Sequence, residues 1–193
     1  MLLFSGNKEK RNRAIVEKTI LEHYNQYYRL AYSYVHNEMD AGDIVQNGAY
    51  KAIRSSHSLR QEEYVNTWVY RIMLNECFLV LKQSRAISYE EVLKEEGNEI
   101  GYMEDHYQDL DLQRAMEALS KEDRAVVVLK YFEDMKLEEI ADILDENVNT
   151  VKSRLYRSLK KLRGMLSSRE NPGEQNPGNS NLSNRNFSKE IGR

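Results

Sequence analysis

The sequence predicts an all-α protein of two small helical units: an N-terminal bundle of three or four helices, and a C-terminal four-helix unit with a helix-turn-helix, joined by a flexible acidic linker. Three observations lead there. With 2 prolines and 9 glycines in 193 residues, the chain suits long helices better than a turn-rich β fold. Apolar residues recur at steps of three and four, the period of a helix with one buried face. Charge is segregated along the chain, so a net charge of −3 conceals a basic segment near the end.

In the first unit, residues 14–84, apolar positions Ile20, Tyr24, Tyr27, Tyr28, Ala31, Tyr34 and Val35 predict one helix over residues 15–35. His36-Asn37-Glu38-Met39 interrupts the pattern, and Asp40 is expected to cap a second helix reaching residue 55. That helix is expected to bury Ile44, Val45, Ala49 and Ile53. Residues 55–63 read as a loop. A third helix over residues 64–83 carries Trp68, Val69, Ile72, Met73, Phe78 and Leu81.

Residues 85–110 differ in character. From residue 88 to 111, Glu90, Glu91, Glu95, Glu96, Glu99, Glu104, Asp105, Asp109 and Asp111 stand against only Lys94, with Gly97 and Gly101 among them, which predicts a flexible acidic linker. A solvated spacer with no specific role fits this composition as well as a functional one.

The second unit spans residues 111–167. A short helix over 112–119 is followed by Ser120-Lys-Glu-Asp123, a capping box with Asp in place of Glu, opening a helix to residue 132. Residues 133–136 connect it to Leu137-Glu-Glu-Ile-Ala-Asp-Ile-Leu144, a polar break, and a last helix. Beyond residue 167 the chain turns to Asn-Pro-Gly-Glu-Gln-Asn-Pro-Gly, which cannot build a core and is expected to be disordered.

Several function classes are disfavoured. A single cysteine, Cys77, excludes an internal disulfide and reads as a small buried thiol on a helix. His23, His36, His57 and His106 lack metal-ligand spacing, so neither metal nor cofactor is expected. No triad, metal cluster or glycine-rich phosphate loop suggests an enzyme. No apolar run approaches the roughly 20 residues of a membrane span, and the start Met-Leu-Leu-Phe-Ser-Gly is too short for a signal-peptide core. A cytoplasmic protein without membrane insertion is expected.

The most informative stretch is residues 137–166. An acidic helix with Glu138, Glu139 and Asp142 precedes a basic one with Lys152, Arg154, Arg157, Lys160, Lys161 and Arg163, and no acid occurs from residue 147 to 168. Val151, Leu155, Leu159, Leu162 and Leu166 form a stripe facing the unit's own core. That leaves Lys152, Ser153, Tyr156 and Arg157 on the outward N-terminal side, where a helix-turn-helix reads base edges. Arg154, Lys160, Lys161 and Arg163 suit phosphates, and Asn147 or Asn149 can cap the helix. A basic amphipathic helix serving only as a solvated face is the plainer alternative.

Asp43-Ile-Val-Gln46, Thr67-Trp-Val-Tyr-Arg-Ile72 and Thr150-Val-Lys-Ser-Arg-Leu-Tyr-Arg157, in this order and at these separations, resemble the extracytoplasmic-function group of the bacterial sigma-70 family over about residues 24–166. The resemblance implies a promoter-specificity subunit that binds core RNA polymerase and directs initiation. Asp40, Asp43, Ile44 and Gln46 would grip the β′ clamp, although on spacing alone they belong to an ordinary amphipathic core helix. Trp68, Tyr70, Arg71 and Asn75 match the helix that melts and reads the −10 element. Stacking and amide groups suit a flipped base there, whereas a lone Trp on a helix also reads as core. Thr150, Lys152, Ser153, Arg154, Tyr156, Arg157 and Lys160 would read the −35 element, with the second unit docked on the β flap. The acidic linker would thread the polymerase's basic channels as an RNA mimic. An anti-sigma factor is an implied partner.

The chain departs from the family pattern at Asn47, commonly Glu; Leu79, often Asp; Ile53, often Trp; and Asp145, usually Gly. Asp tolerates the turn geometry the last position needs. The alternative from another class is a free-standing helix-turn-helix regulator whose N-terminal bundle dimerises or senses a ligand.

Overall fold

The computed structural model describes residues 3–92 and 107–170, with side chains described over 7–83 and 111–167. Eight α-helices and two short 3₁₀ turns make up the described residues, and no strand occurs among them.

The first unit has four helices, the larger of the two numbers expected. The predicted single helix over residues 15–35 is two: α1 (Leu3–Glu22) and α2 (Tyr24–Val35), divided at His23. The start of α1 has no apolar periodicity because it packs chiefly through Asn12, Val16, Thr19 and Ile20. Asn12 is buried and donates both amide hydrogens across to the Ser56 (3.1 Å) and Leu59 (2.9 Å) carbonyls, fixing the loop that begins at residue 55.

α3 (Glu38–Arg54) is capped by Asn37, not Asp40: its Oδ1 accepts from the backbone N–H of Met39 (2.8 Å) and Asp40 (3.1 Å). The helix begins two residues before Asp40, leaving Asp40 in the first turn, where a carboxylate still favours the helix dipole. The 3₁₀ turns Ser56–Ser58 and Glu62–Tyr64 occupy the predicted loop.

α4 (Val65–Val92) runs past the predicted end at residue 83, because residues 84–92 contain neither Gly nor Pro to stop it. α3 and α4 approach so closely at Gly48 that a Cβ there would lie 2.3 Å from Met73 Sδ. Glu76, buried on α4, takes Lys51 of α3 at 2.6 and 2.8 Å.

The second unit comprises α5 (Tyr107–Glu117), α6 (Lys121–Tyr131), α7 (Leu137–Leu144) and α8 (Val148–Glu170). Ser120 caps α6 by accepting from the N–H of Asp123 at 3.1 Å. Lys136 N–H donates to Glu139 Oε2 at 2.8 Å, so a carboxylate at the third position supports the start of α7. Asp145 ends α7 in the left-handed region at φ 56°, as expected of the residue standing for Gly.

The expected linker, 85–110, is thus helical over 85–92 and 107–110, and the remainder lies outside the described residues. Of the expected disordered tail, residues 168–170 continue α8, and the rest lies outside them as well.

The two units pack on each other, α2 against α6 and α4 against α7, and their apolar residues form one continuous buried cluster. The helical periodicity of each unit gave no hint of this contact.

Candidate nucleic-acid and polymerase interfaces

α8 is laid against its own unit by Val151, Leu155 and Leu162, all buried, with Leu159 half-buried. Leu166 does not complete the stripe: it is 37% exposed, at the open cleft between α5 and α8. Asn147 is the cap, its Oδ1 accepting from Asn149 N–H at 2.8 Å. The opposite face presents Thr150, Lys152, Ser153, Tyr156, Arg157 and Lys160 to solvent. Ser153 Oγ donates to its own helix at Asn149 O (2.8 Å) yet keeps its acceptor lone pairs.

Arg154 does not belong to this face. Its guanidinium forks onto Glu146 (2.8 Å) and reaches Asp123 at 2.9 Å, tying α8 to the turn before it and to α6. Its hydrogen bonds to the Glu146 carboxylate hold its proton more firmly still. With both carboxylates as neighbours it is a structural cation rather than a phosphate contact.

Beside the exposed face an open cleft of about 760 Å³ lies between α5 and α8, lined by Arg114, Arg157, Lys160 and Lys161 above Ala115, Ala118 and Met165. Lys161 is anchored there by donating to Ala118 O at 2.6 Å. The basic surface therefore extends sideways from α8 onto α5.

On α3, Asp40, Asp43, Gln46 and Asn47 form an exposed polar edge. Ile44 is not part of it. At 1% exposure it sits in the core among the α2 and α4 side chains, where burial of such a chain contributes about 1.5–3 kcal/mol. The motif Asp43-Ile-Val-Gln46 is thus two surface groups bracketing two core groups, the ordinary alternation of a half-buried helix.

On α4 the four expected residues are split. Asn75 is exposed, and Trp68 is half-buried against the core. Tyr70 is 1% exposed, its ring edge-on to Tyr27 at 4.8 Å and its hydroxyl donating to Glu133 of the second unit at 3.1 Å. Burial and then the Glu133 charge push its pKa up, so it stays a phenol. Arg71 donates to the Asp142 carbonyl on α7. Sequence reasoning placed Tyr70 and Arg71 on a free face, whereas the second unit covers both.

Glu133 was missed altogether. Its side chain is 1% exposed and also receives Arg29 of α2 at 3.1 Å, across 104 residues of sequence. One of two adjacent acids in a four-residue connection, it carries no local signal of such a partner. Cys77 is fully buried, and burial raises its thiol to about 12, which leaves it no thiolate for chemistry. Among the described residues no three His, Cys, Asp or Glu side chains are grouped to hold a metal, and no helix is long and apolar enough to cross a membrane.

Comparison with known proteins fits this layout. The sequence pattern of Sigma-70 region 2 matches residues 19–86, and that of Sigma-70 region 4 matches residues 109–162. RNA polymerase sigma factor SigV of Bacillus subtilis is 39% identical over 165 residues, spanning 84% of this chain and 98% of its own. ECF RNA polymerase sigma factor SigE of Mycolicibacterium smegmatis is 29% identical over 166 residues, 82% of this chain and 64% of its own. Among solved structures, the sigma factor RpoE of Bartonella quintana, crystallised with the anti-sigma factor NepR, shares the fold. Its TM-score is 0.62 at 21% identity, over 79% of this chain and 96% of that one.

Proposed function

The chain belongs to the extracytoplasmic-function group of the sigma-70 family of RNA polymerase sigma factors, and on that premise we propose how its surfaces divide the work of promoter recognition. A sigma factor of this group binds core RNA polymerase and directs initiation at promoters. The −35 element falls to the exposed face of α8. Lys152, Ser153, Tyr156 and Arg157 read base edges in the major groove, while Thr150 and Lys160 meet phosphates. The observation that carries this is the sorting of α8 itself, with its apolar stripe buried and these residues in solvent.

Asp40, Asp43 and Gln46, without Ile44, offer a carboxylate-and-amide edge for the β′ clamp of the polymerase. Trp68, Tyr70, Arg71 and Asn75 of α4 serve the −10 element, Tyr70 and Arg71 only once the second unit has moved off them. The net charge of −3 suits a protein whose affinity for DNA is shared with polymerase. An anti-sigma factor, as in the complex of the Bartonella relative, is the expected negative partner, and the cytoplasm the expected site of action. Supporting this is the α5–α8 cleft, where Arg114, Arg157, Lys160 and Lys161 gather beside the DNA-reading residues.

Reconstitution with core RNA polymerase tests the proposal. Promoter-specific run-off transcription that depends on the chain, and drops with Arg157→Ala while polymerase binding persists, is the expected result. Sequence-specific DNA binding by the chain alone without any transcription favours the free-standing regulator instead.

A further inference from the structure

We propose that Glu133 is an internal latch: its carboxylate holds the C-terminal unit over α4 and takes the place a nucleic-acid phosphate would occupy beside Arg29 and the Tyr70 hydroxyl. The inference rests on the assignment of α4 to promoter DNA. Glu133 sits on the connection between α6 and α7, enclosed between α2 and α4, with both carboxylate oxygens 3.1 Å from Arg29 Nη2 and one 3.1 Å from the Tyr70 hydroxyl. One acidic side chain of the second unit thus engages a cation and an aromatic hydroxyl of the first.

Arg71 shows why the closed arrangement is poised to open. Its guanidinium reaches only a neutral acceptor, the Asp142 carbonyl, and its Nε is buried without a partner. Half-buried, with one N–H cut off from water and no anion accepting from its guanidinium, Arg71 is incompletely compensated for its desolvation. A phosphate oxygen offers it the charged, bidentate partner that the closed chain lacks.

Other polar pairs cross the seam beside its apolar contact. Tyr34 donates to Lys121 O at 2.8 Å, Arg124 donates to Ser33 O at 3.2 Å, and Lys121 lies over the Phe78 ring at 4.5 Å. His36 and Glu117 approach to 3.3 Å. Opening has to break these polar pairs together with the apolar contact that runs between the units. Closure and DNA binding on α4 then exclude each other, and by linkage each weakens the other by the same factor.

The test places donor and acceptor dyes on cysteines introduced as Tyr50→Cys on α3 and Glu138→Cys on α7, both exposed positions, in the full chain; buried Cys77 does not label. High energy transfer is expected for the otherwise wild-type protein. Saturation with a mixed-sequence single-stranded DNA 20-mer lowers it. Glu133→Arg, which sets like charge against Arg29, lowers it without DNA, and Arg29→Glu/Glu133→Arg restores it. Glu133→Arg also binds the 20-mer about tenfold more tightly than the wild type, within the usual range of coupling factors. Helical circular dichroism and the urea midpoint confirm that each variant is folded. Unchanged transfer in folded Glu133→Arg, or DNA binding to the wild type with no fall in transfer, overturns the latch. So does the absence of any DNA binding by the Glu133→Arg chain. Run-off transcription by the wild type with core polymerase, read in parallel, separates the two levels. Active transcription with an unmoved Glu133→Arg chain removes the latch alone, and inactive transcription removes the assignment it rests on.

Discussion

On α8 the side chains of Lys152, Tyr156, Arg157 and Lys160 stand in solvent, while on α4 Tyr70 is 1% exposed and Arg71 ends on a backbone carbonyl of α7. The difference follows from where each helix lies. α8 packs on α5, α6 and α7 through a single stripe, so the rest of its circumference is free. α4 is the centre of its bundle, with α1, α2 and α3 around it and α7 against what remains. A helix on the rim of a unit can read DNA as folded. A central helix can do so only after something that covers it leaves.

The comparison can be broken first at the core of the first unit. Ile44→Ala, at a fully buried position, is expected to lower stability by about 2–5 kcal/mol in urea unfolding. Asp43→Ala next to it should leave the midpoint unchanged and weaken only polymerase binding. Equal destabilisation by both would mean that the exposed edge of α3 is structural. Two arginines three residues apart sharpen the same contrast on α8. Arg154→Ala leaves Glu146 and Asp123 without their shared cation and should cost about 1–3 kcal/mol. Arg157→Ala should leave the melting temperature in place and reduce −35-dependent transcription.

Gly48→Ala is expected to cost about 1–3 kcal/mol despite the better helix propensity of Ala, because Met73 must shift to admit the methyl group. Restoration of the midpoint by pairing it with Met73→Val would identify the clash as the cause. The smallest effect concerns pH. Burial lowers the pKa of His36 below its ordinary 6.5, with Glu117 opposing, so the folded chain binds fewer protons there than the unfolded one. Its contribution is complete above pH 6.5 and is lost as pH falls through the folded value. Glu133 works in the opposite direction: burial raises its pKa, so its contribution is present at low pH and is lost as pH rises through the folded value. Urea midpoints between pH 7.5 and 5.5 should therefore decline on acidification in the wild type and less so in His36→Gln.

The helix-turn-helix was legible in the sequence because its evidence is local. Period, cap, turn and charge all fall within 30 residues, and Asp145 adopts the left-handed turn that its position required. The residues misread there have partners farther off. Arg154 looks like any other base in a basic helix until Asp123, 31 residues earlier, is brought beside it. Ile44 lay inside a motif whose surface members drew it outward, although its own periodicity placed it in the core. The start of α1 was illegible because a buried asparagine bonding to loop carbonyls does the packing there. The covering of Tyr70 depends on Glu133, 63 residues away, and that of Arg71 on Asp142, 71 residues away, and no sequence period links groups at that range.

The central claim is that the chain by itself offers α8 to DNA and withholds α4. Timed modification of the free protein with an arginine-specific dicarbonyl reagent, read residue by residue by mass spectrometry, tests it most directly. Arg157 should react many-fold faster than Arg71, and Glu133→Arg should bring Arg71 close to the Arg157 rate. Equal rates for the two arginines in the wild-type chain would contradict the account.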